Sequence, residues 1–199
     1  ADLSDISAVC AGFVGADLTG ADLRRANLYG AGFAGANLTG AQLYGANLDD
    51  AHLEEADFFE GNALHLARFY QDAAAWNDWR SHCPTQTPDL RGANLIGYRM
   101  LGEDLTGANL ARAHLSRLNS YQALLAGADL TLARLVDARL FAARLDGTNF
   151  VLATLTRADL SMASAAGASF IGADLERADL GSARLAGARL ARVMLREAD

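Results

Sequence analysis

Ala16 to Glu60 reads ADLTG ADLRR ANLYG AGFAG ANLTG AQLYG ANLDD AHLEE ADFFE, nine consecutive blocks of five residues. Each block opens with Ala, usually carries a short polar residue second, and places Leu or Phe third. The same frame runs back to Ala1 and resumes from Pro88 to the end of the chain. Taking the third residue as the centre, centres run from Leu3 to Phe58 in 12 blocks and from Leu90 to Leu195 in 22. Of these 34 blocks, 30 have Leu or Phe at the centre and 27 have Ala two residues earlier, so the repeat outweighs every other feature as a guide to architecture.

A period of five fits neither regular element. On an α-helix five residues advance about 500°, so successive Leu side chains would drift by about 140° and never form one stripe. On a flat strand an odd step flips the face and puts alternate Leu into water. The chain must therefore turn a corner at every block, so that each centre points at a common axis. The Ala two residues earlier also points inward, where a larger side chain would not fit beside the Leu. Gly or another small or polar residue often closes the block, as a bend requires.

These A-D/N-L-x-x blocks resemble the pentapeptide-repeat family over about 170 of the 199 residues. The resemblance implies an all-β fold, a right-handed quadrilateral parallel β-helix with four blocks per coil, in which residues 20 apart stack on one face. The 12 blocks then make three coils and the 22 make five and a half. At roughly 4.8 Å per coil the rod would be about 40 Å long. Each buried Leu contributes roughly 1.5–3 kcal/mol, and each coil relies on its neighbours to complete the core.

Residues 61–87 break the frame. The 32 residues from Phe58 to Leu90 are six blocks plus two, so the second array is out of phase with the first. Leu66, Phe69, Tyr70, Ala73 and Trp76 fall at helical spacing, with Asn62 as an N-cap and Arg68–Asp72 as an i,i+4 pair. The spacing predicts one inserted α-helix over about 63–81, then a loop through Cys83, Pro84 and Pro88. Trp76 and Trp79 lie in this insertion, which either docks on the rod or projects as a recognition arm; docking is the expectation. The chain is thus read as a single domain, 1–199, with coils at 1–60 and 88–199 and the insertion at 61–87.

The blocks after the insertion are the least regular. Pro88, Tyr98, Glu103 and Leu118 replace the inward Ala, and Met100 and Ser120 replace the centre. A buried Glu103 requires a partner. Later, Arg134, Arg139 and Arg144 precede three consecutive centres and should ring one coil, with Asp137 and Asp146 expected to balance them.

The net charge of −7 is unevenly placed. Residues 1–60 hold ten acids against Arg24 and Arg25, whereas residues 88–199 hold twelve acids and thirteen Arg. An acidic first array argues against direct nucleic-acid binding there and favours a basic partner surface. Asp49, Asp50, Glu54, Glu55, Asp57 and Glu60 should all face outward from the third coil, with Tyr29 and Tyr44 beside them, a combination suited to an interface. These eight residues, with Trp76 and Trp79, are the candidate partner-binding set. Some members of the resembled family mimic duplex DNA and bind DNA gyrase or a related type II topoisomerase, inhibiting it or protecting it from quinolones. The resemblance therefore implies that role, against a broader alternative of a scaffold with an unidentified protein partner. The near-neutral second array and the plain A-D/N-L blocks depart from that pattern.

No catalytic, cofactor or metal site is expected. Gly30-x-Gly32-x-x-Gly35 matches a dinucleotide fingerprint as a string but lies inside the five-residue period, without the flanking strand and helix. His65, His82 and Cys83 match no strong metal spacing, and no nucleophile has a base and an orienting partner. Two cysteines are too few for a disulfide framework, no apolar run approaches 18 residues, and no signal-peptide pattern opens the chain, so a cytoplasmic protein is expected. Both ends fall inside or against a block, which implies either flanking residues outside this chain or pairing of ends between subunits, a homodimer through a terminal coil.

Overall fold

The computed structural model describes residues 1–43, 45–57, 63–100 and 102–199, without the side chains of residues 63, 64, 67 and 71. Parallel bridges join residues 20 apart throughout, from Asp2↔Asp22 to Asn37↔Asp57 in the first array and from Asp89↔Asn109 to Asp174↔Met194 in the second. Four blocks therefore complete one coil.

The block itself explains the geometry. At each centre the backbone N–H donates to the next coil, as Leu23 does to the Gln42 carbonyl at 2.8 Å. The following polar residue's N–H reaches back, as Gln42 does to Ala21 at 2.8 Å. Each corner is a four-residue turn in which the next Ala N–H bonds the centre carbonyl, as in Ala31 to Leu28 at 3.0 Å. Its third residue lies in the left-handed region, Gly30 at φ 61° and Asp50 at φ 54°, which is why Gly recurs there. The Asp/Asn preference has its own cause: the side chain accepts the N–H two residues on, as Asp17 does from Thr19 at 3.0 Å and Asn47 from Asp49 at 3.0 Å.

With the corners set, Leu, Phe and Ala line the axis. Leu23, Phe33, Leu110, Leu135 and Phe150 are all fully buried, and the rings of Phe13–Phe33 and Phe150–Phe170 stack at 4.9 Å between successive coils. The irregular positions are satisfied in pairs. The Tyr98 hydroxyl donates to Glu103 Oε1 at 2.8 Å, both groups being buried one block apart. Ser120, one coil above Met100, donates its hydroxyl to the Met100 sulfur at 2.9 Å.

The insertion differs from the single helix expected. It forms two helices, α1 (Ala63–Gln71) and α2 (Ala73–His82). Asp72 separates them: its backbone is extended and its carboxylate accepts the Ala75 N–H at 2.7 Å, capping α2. The expected cap, Asn62, lies outside the described residues. Both helices dock. The Gly45 N–H, at the last described level of the first array, bonds the Tyr70 carbonyl at 3.2 Å, while the Asn94 side chain donates to Gly40 at 2.9 Å. On the second array the Trp76 indole donates to the Asp104 carbonyl at 2.8 Å, and Arg80 to the Thr106 carbonyl at 2.7 Å. Among the described residues no helix is long and apolar enough to cross a membrane.

Candidate protein-binding face

The third coil presents its acids at two adjacent corners. Leu48 and Leu53 point inward and are buried, so Asp49 and Asp50 turn the corner after one centre and Glu54 and Glu55 the corner after the next. All four are exposed, as is Asp57 on the following face. Asp50 and Glu55 hold left-handed backbone, at φ 54° and 56°. Tyr29, one coil below, is exposed and donates its hydroxyl to Asp50 Oδ2 at 2.6 Å, a bond that raises the phenol's pKa because the carboxylate favours its protonated form. His52 Nδ1 lies 3.7 Å from Glu54 Oε1. Residues 41–57 contain neither Arg nor Lys.

The two arginines of the first array are already committed to acids. Arg24 binds Asp22 at 2.8 and 2.5 Å, and Arg25 binds Asp5 at 2.6 and 2.5 Å. Both carboxylates are held below the usual range, first by these hydrogen bonds. The acids of this array are densest at the third-coil corners, while Asp2 and Asp17 are hydrogen-bonded by the neutral side chains of Ser4 and Thr19.

Of the other candidates from the sequence, Tyr44 and Glu60 lie outside the described residues. Trp76 and Trp79 do not join the acidic corners. Trp76 is fully buried and Trp79 nearly so, packed with Phe69 and His65 at ring-centroid distances of 4.6 to 5.1 Å. They hold the insertion onto the rod, because their large apolar surfaces have the second array to cover.

The second array carries arrangements the sequence reading missed. Asp137 pairs with Arg157 at 2.7 Å and Arg177 with Glu197 at 2.7 Å, each pair being 20 residues apart along one corner. Asp146 instead accepts from Ser164 and the Ala166 N–H. The expected balance of Arg134, Arg139 and Arg144 by Asp137 and Asp146 holds only in part: stacking brings Asp137 under Arg157, Asp146 keeps an electrostatic attraction to Arg144, and the three arginines stand on flat faces and make no ion pair among the described residues. Adding 20 to each charged position would have found these ladders. Among the described residues no group of three or more His, Cys, Asp or Glu is arranged to hold a metal ion.

A family model, pentapeptide repeats, matches residues 1–33, 36–64, 89–119, 104–140, 133–170 and 166–199, as eight copies. Among solved structures, the pentapeptide repeat protein Rfr23 from the cyanobacterium Cyanothece 51142 is 26% identical, with a TM-score of 0.36, over 52% of this chain and 65% of that one. The match therefore spans less than two thirds of Rfr23. HetL from Nostoc sp. strain PCC 7120, a pentapeptide repeat protein involved in heterocyst differentiation regulation, is 29% identical over 99% of this chain and 88% of its own, with a TM-score of 0.26. QnrB1, a plasmid-mediated fluoroquinolone resistance protein, is 15% identical over 94% of this chain and 83% of its own, with a TM-score of 0.37. No curated protein matches it.

Proposed function

The chain belongs to the pentapeptide-repeat family, and from that premise we propose that it is a non-enzymatic protein-binding rod whose acidic third coil recognises a basic protein surface. Family membership implies that the coil winds right-handedly. The observation that carries the reading is the pair of exposed corners, Asp49–Asp50 and Glu54–Glu55, in a coil without a basic side chain other than His52. Clustered carboxylates on a rigid backbone attract a cationic groove without the cost of ordering a loop. The concrete partner is DNA gyrase or a related type II topoisomerase, whose DNA-binding groove the acidic corners would enter as a DNA mimic.

A gyrase supercoiling assay tests this directly, with increasing purified protein at two salt concentrations and with or without a fluoroquinolone. Salt-sensitive inhibition or drug protection, lost in the D49N/D50N/E54Q/E55Q variant, supports the mimic. No effect at micromolar protein overturns gyrase as the partner. One observation favours the second reading, a scaffold for another protein: the second array is not a continuous negative face but mixes signs, as in the Asp137–Arg157 and Arg177–Glu197 pairs. In that case the acidic corners serve as bait for a basic partner of a different kind.

A further inference from the structure

One face of the second array reverses sign along its length. Successive parallel bridges stack Arg99, Asn119, Arg139, Asp159 and Asp179 in one column, with Arg99, Arg139 and Asp179 exposed. Below the step between Arg139 and Asp159 the charged members are basic; above it they are acidic. Arg99 and Arg139 make no ion pair among the described residues. Asp159 Oδ1 accepts the Ser161 N–H and hydroxyl, and Asp179 Oδ1 accepts the Gly181 N–H; neither carboxylate makes an ion pair among the described residues.

The adjoining corner reverses in the same place, by size instead of charge. Backbone bonds from Gln122 to Phe141, Ala142 to Ser161 and Met162 to Gly181 stack this corner coil on coil. Its first column runs Tyr121, Phe141, Ser161, Gly181, bulky and then small. Its second runs Gln122, Ala142, Met162, Ser182, in which only the two central members, Ala142 and Met162, step from small to bulky. Tyr121 and Met162 are 56% and 58% exposed, unusually open for an aromatic and a large apolar side chain.

We infer that this face is a self-complementary interface, built to pair with the same face of a second copy running antiparallel. A two-fold axis crossing the rod at the level between Arg139 and Asp159 sets Arg139 against the partner's Asp159 and Asn119 against the partner's Asp179. The same operation sets Tyr121 over the partner's Gly181, Phe141 over the partner's Ser161, and Met162 over the partner's Ala142. Charge and shape complement each other about one axis, as an isologous contact requires. The like-charged meeting on the other corner, Arg117 against the partner's Arg177, is relieved by Glu197, which already binds Arg177 at 2.7 Å within its own chain. An extended polyanion lying along the column suits it less well, since beyond Arg139 it would meet Asp159 and Asp179.

The paired face is about 20 Å long at roughly 4.8 Å per coil, and covers less than the ~800 Å² per partner of a standard interface. The dimer is accordingly weak, with micromolar affinity and strong salt dependence. It differs from end-to-end pairing through a terminal coil, which leaves this face free.

Sedimentation equilibrium of the full chain, from about 2 to about 200 μM at about 0.05 M and about 0.5 M salt, gives the test. The wild type dimerises at low salt, and its dissociation constant rises about tenfold or more at high salt. R139D and D159R, both at outward positions, retain the wild-type circular dichroism spectrum and are each monomeric. In R139D the two contacts become Asp–Asp, and in D159R they become Arg–Arg. An equimolar mixture of the two monomeric variants recovers the dimer, because each supplies the charge the other now lacks; no rearrangement within one chain can produce that result. The milder R139Q and D159N weaken the dimer without restoring it on mixing. A wild type monomeric throughout overturns the inference, as does a dimer that persists in R139D or a mixture that stays monomeric. Persistence in both variants would assign the association to a terminal coil.

Discussion

Replacing Leu135 with Ala tests the inward axis most directly. Leu135 is fully buried, flanked in its own coil by the buried Ala133 and Ala138 and along the axis by Leu115 and Leu155. Three carbons leave the core, which removes about 2.4 kcal/mol at roughly 0.8 kcal/mol per CH₂. The site cannot collapse to recover the loss. Leu115 and Leu135 are each clamped to the coil above, their N–H groups bonding the Arg134 and Thr154 carbonyls at 2.7 Å. A residual cavity of about 60 Å³ at ~24 cal/mol per Å³ adds about 1.4 kcal/mol, for a total near 4 kcal/mol and within the usual Leu→Ala range. For a chain of this size that loss lowers Tm by about 8–16 °C. Thermal and urea unfolding followed by circular dichroism would measure it, with the exposed neighbour Arg134→Ala as a control expected within about 0.5 kcal/mol of wild type. Leu135→Asp should yield no soluble folded protein. A Leu135→Ala loss below about 1 kcal/mol, or one matching the Arg134→Ala control, would refute the inward assignment.

Trp76→Ala should cost about 3–5 kcal/mol, and Trp76→Phe about 1–3 kcal/mol through the lost bond to the Asp104 carbonyl; both are measured by urea unfolding, with Trp79 fluorescence reporting the insertion. Unchanged stability in both variants would mean that the insertion is not docked in solution. Docking should also depend on pH through His65, whose Nδ1 accepts the Asp89 N–H at 3.0 Å. Burial depresses its pKa below 6.5, Asp89 opposing the shift, so the neutral ring is the folded form. The stabilisation is present above pH 6.5 and is lost as pH falls through the lower folded value, because the unfolded chain takes up the proton first. Tryptophan emission should therefore shift red on acidification from about pH 7 to about pH 5, an effect absent in His65→Gln.

The fold was legible because the repeat leaves one solution. Leu at every fifth position can reach a common axis only if the chain bends at every block, and the bridges at steps of 20 follow from four such bends. The helix break was not legible. Asp72 fits the i,i+4 pattern with Arg68 as well as it fits an N-cap, and the choice depends on where α2 must lie to bring Trp76 to Asp104. That is a tertiary requirement, invisible in local spacing. Glu103 was half legible: burial demanded a partner, and the partner, Tyr98, is the neighbouring irregular inward residue.

The candidate site divides along the same line. Exposure of Asp49, Asp50, Glu54 and Glu55 follows from their place after a centre, so the sequence locates them. Which charges cancel does not follow from place in the block alone, because pairing also runs along columns. Asp137 is three residues from Arg134 and two from Arg139, yet it binds Arg157, since 20 residues of chain return to the same corner about 4.8 Å away. An acid before a centre can also meet an Arg two residues on, as Asp22 meets Arg24 and Asp89 meets Arg91, so both relations have to be read. Net charge summed over a stretch of sequence therefore misleads in this architecture. The near-neutral second array is in fact basic at Arg99 and Arg139 and acidic at Asp159 and Asp179 on a single face. A partner of such a rod reads columns, and any surface that binds it must match the 20-residue stacking before it matches the overall charge.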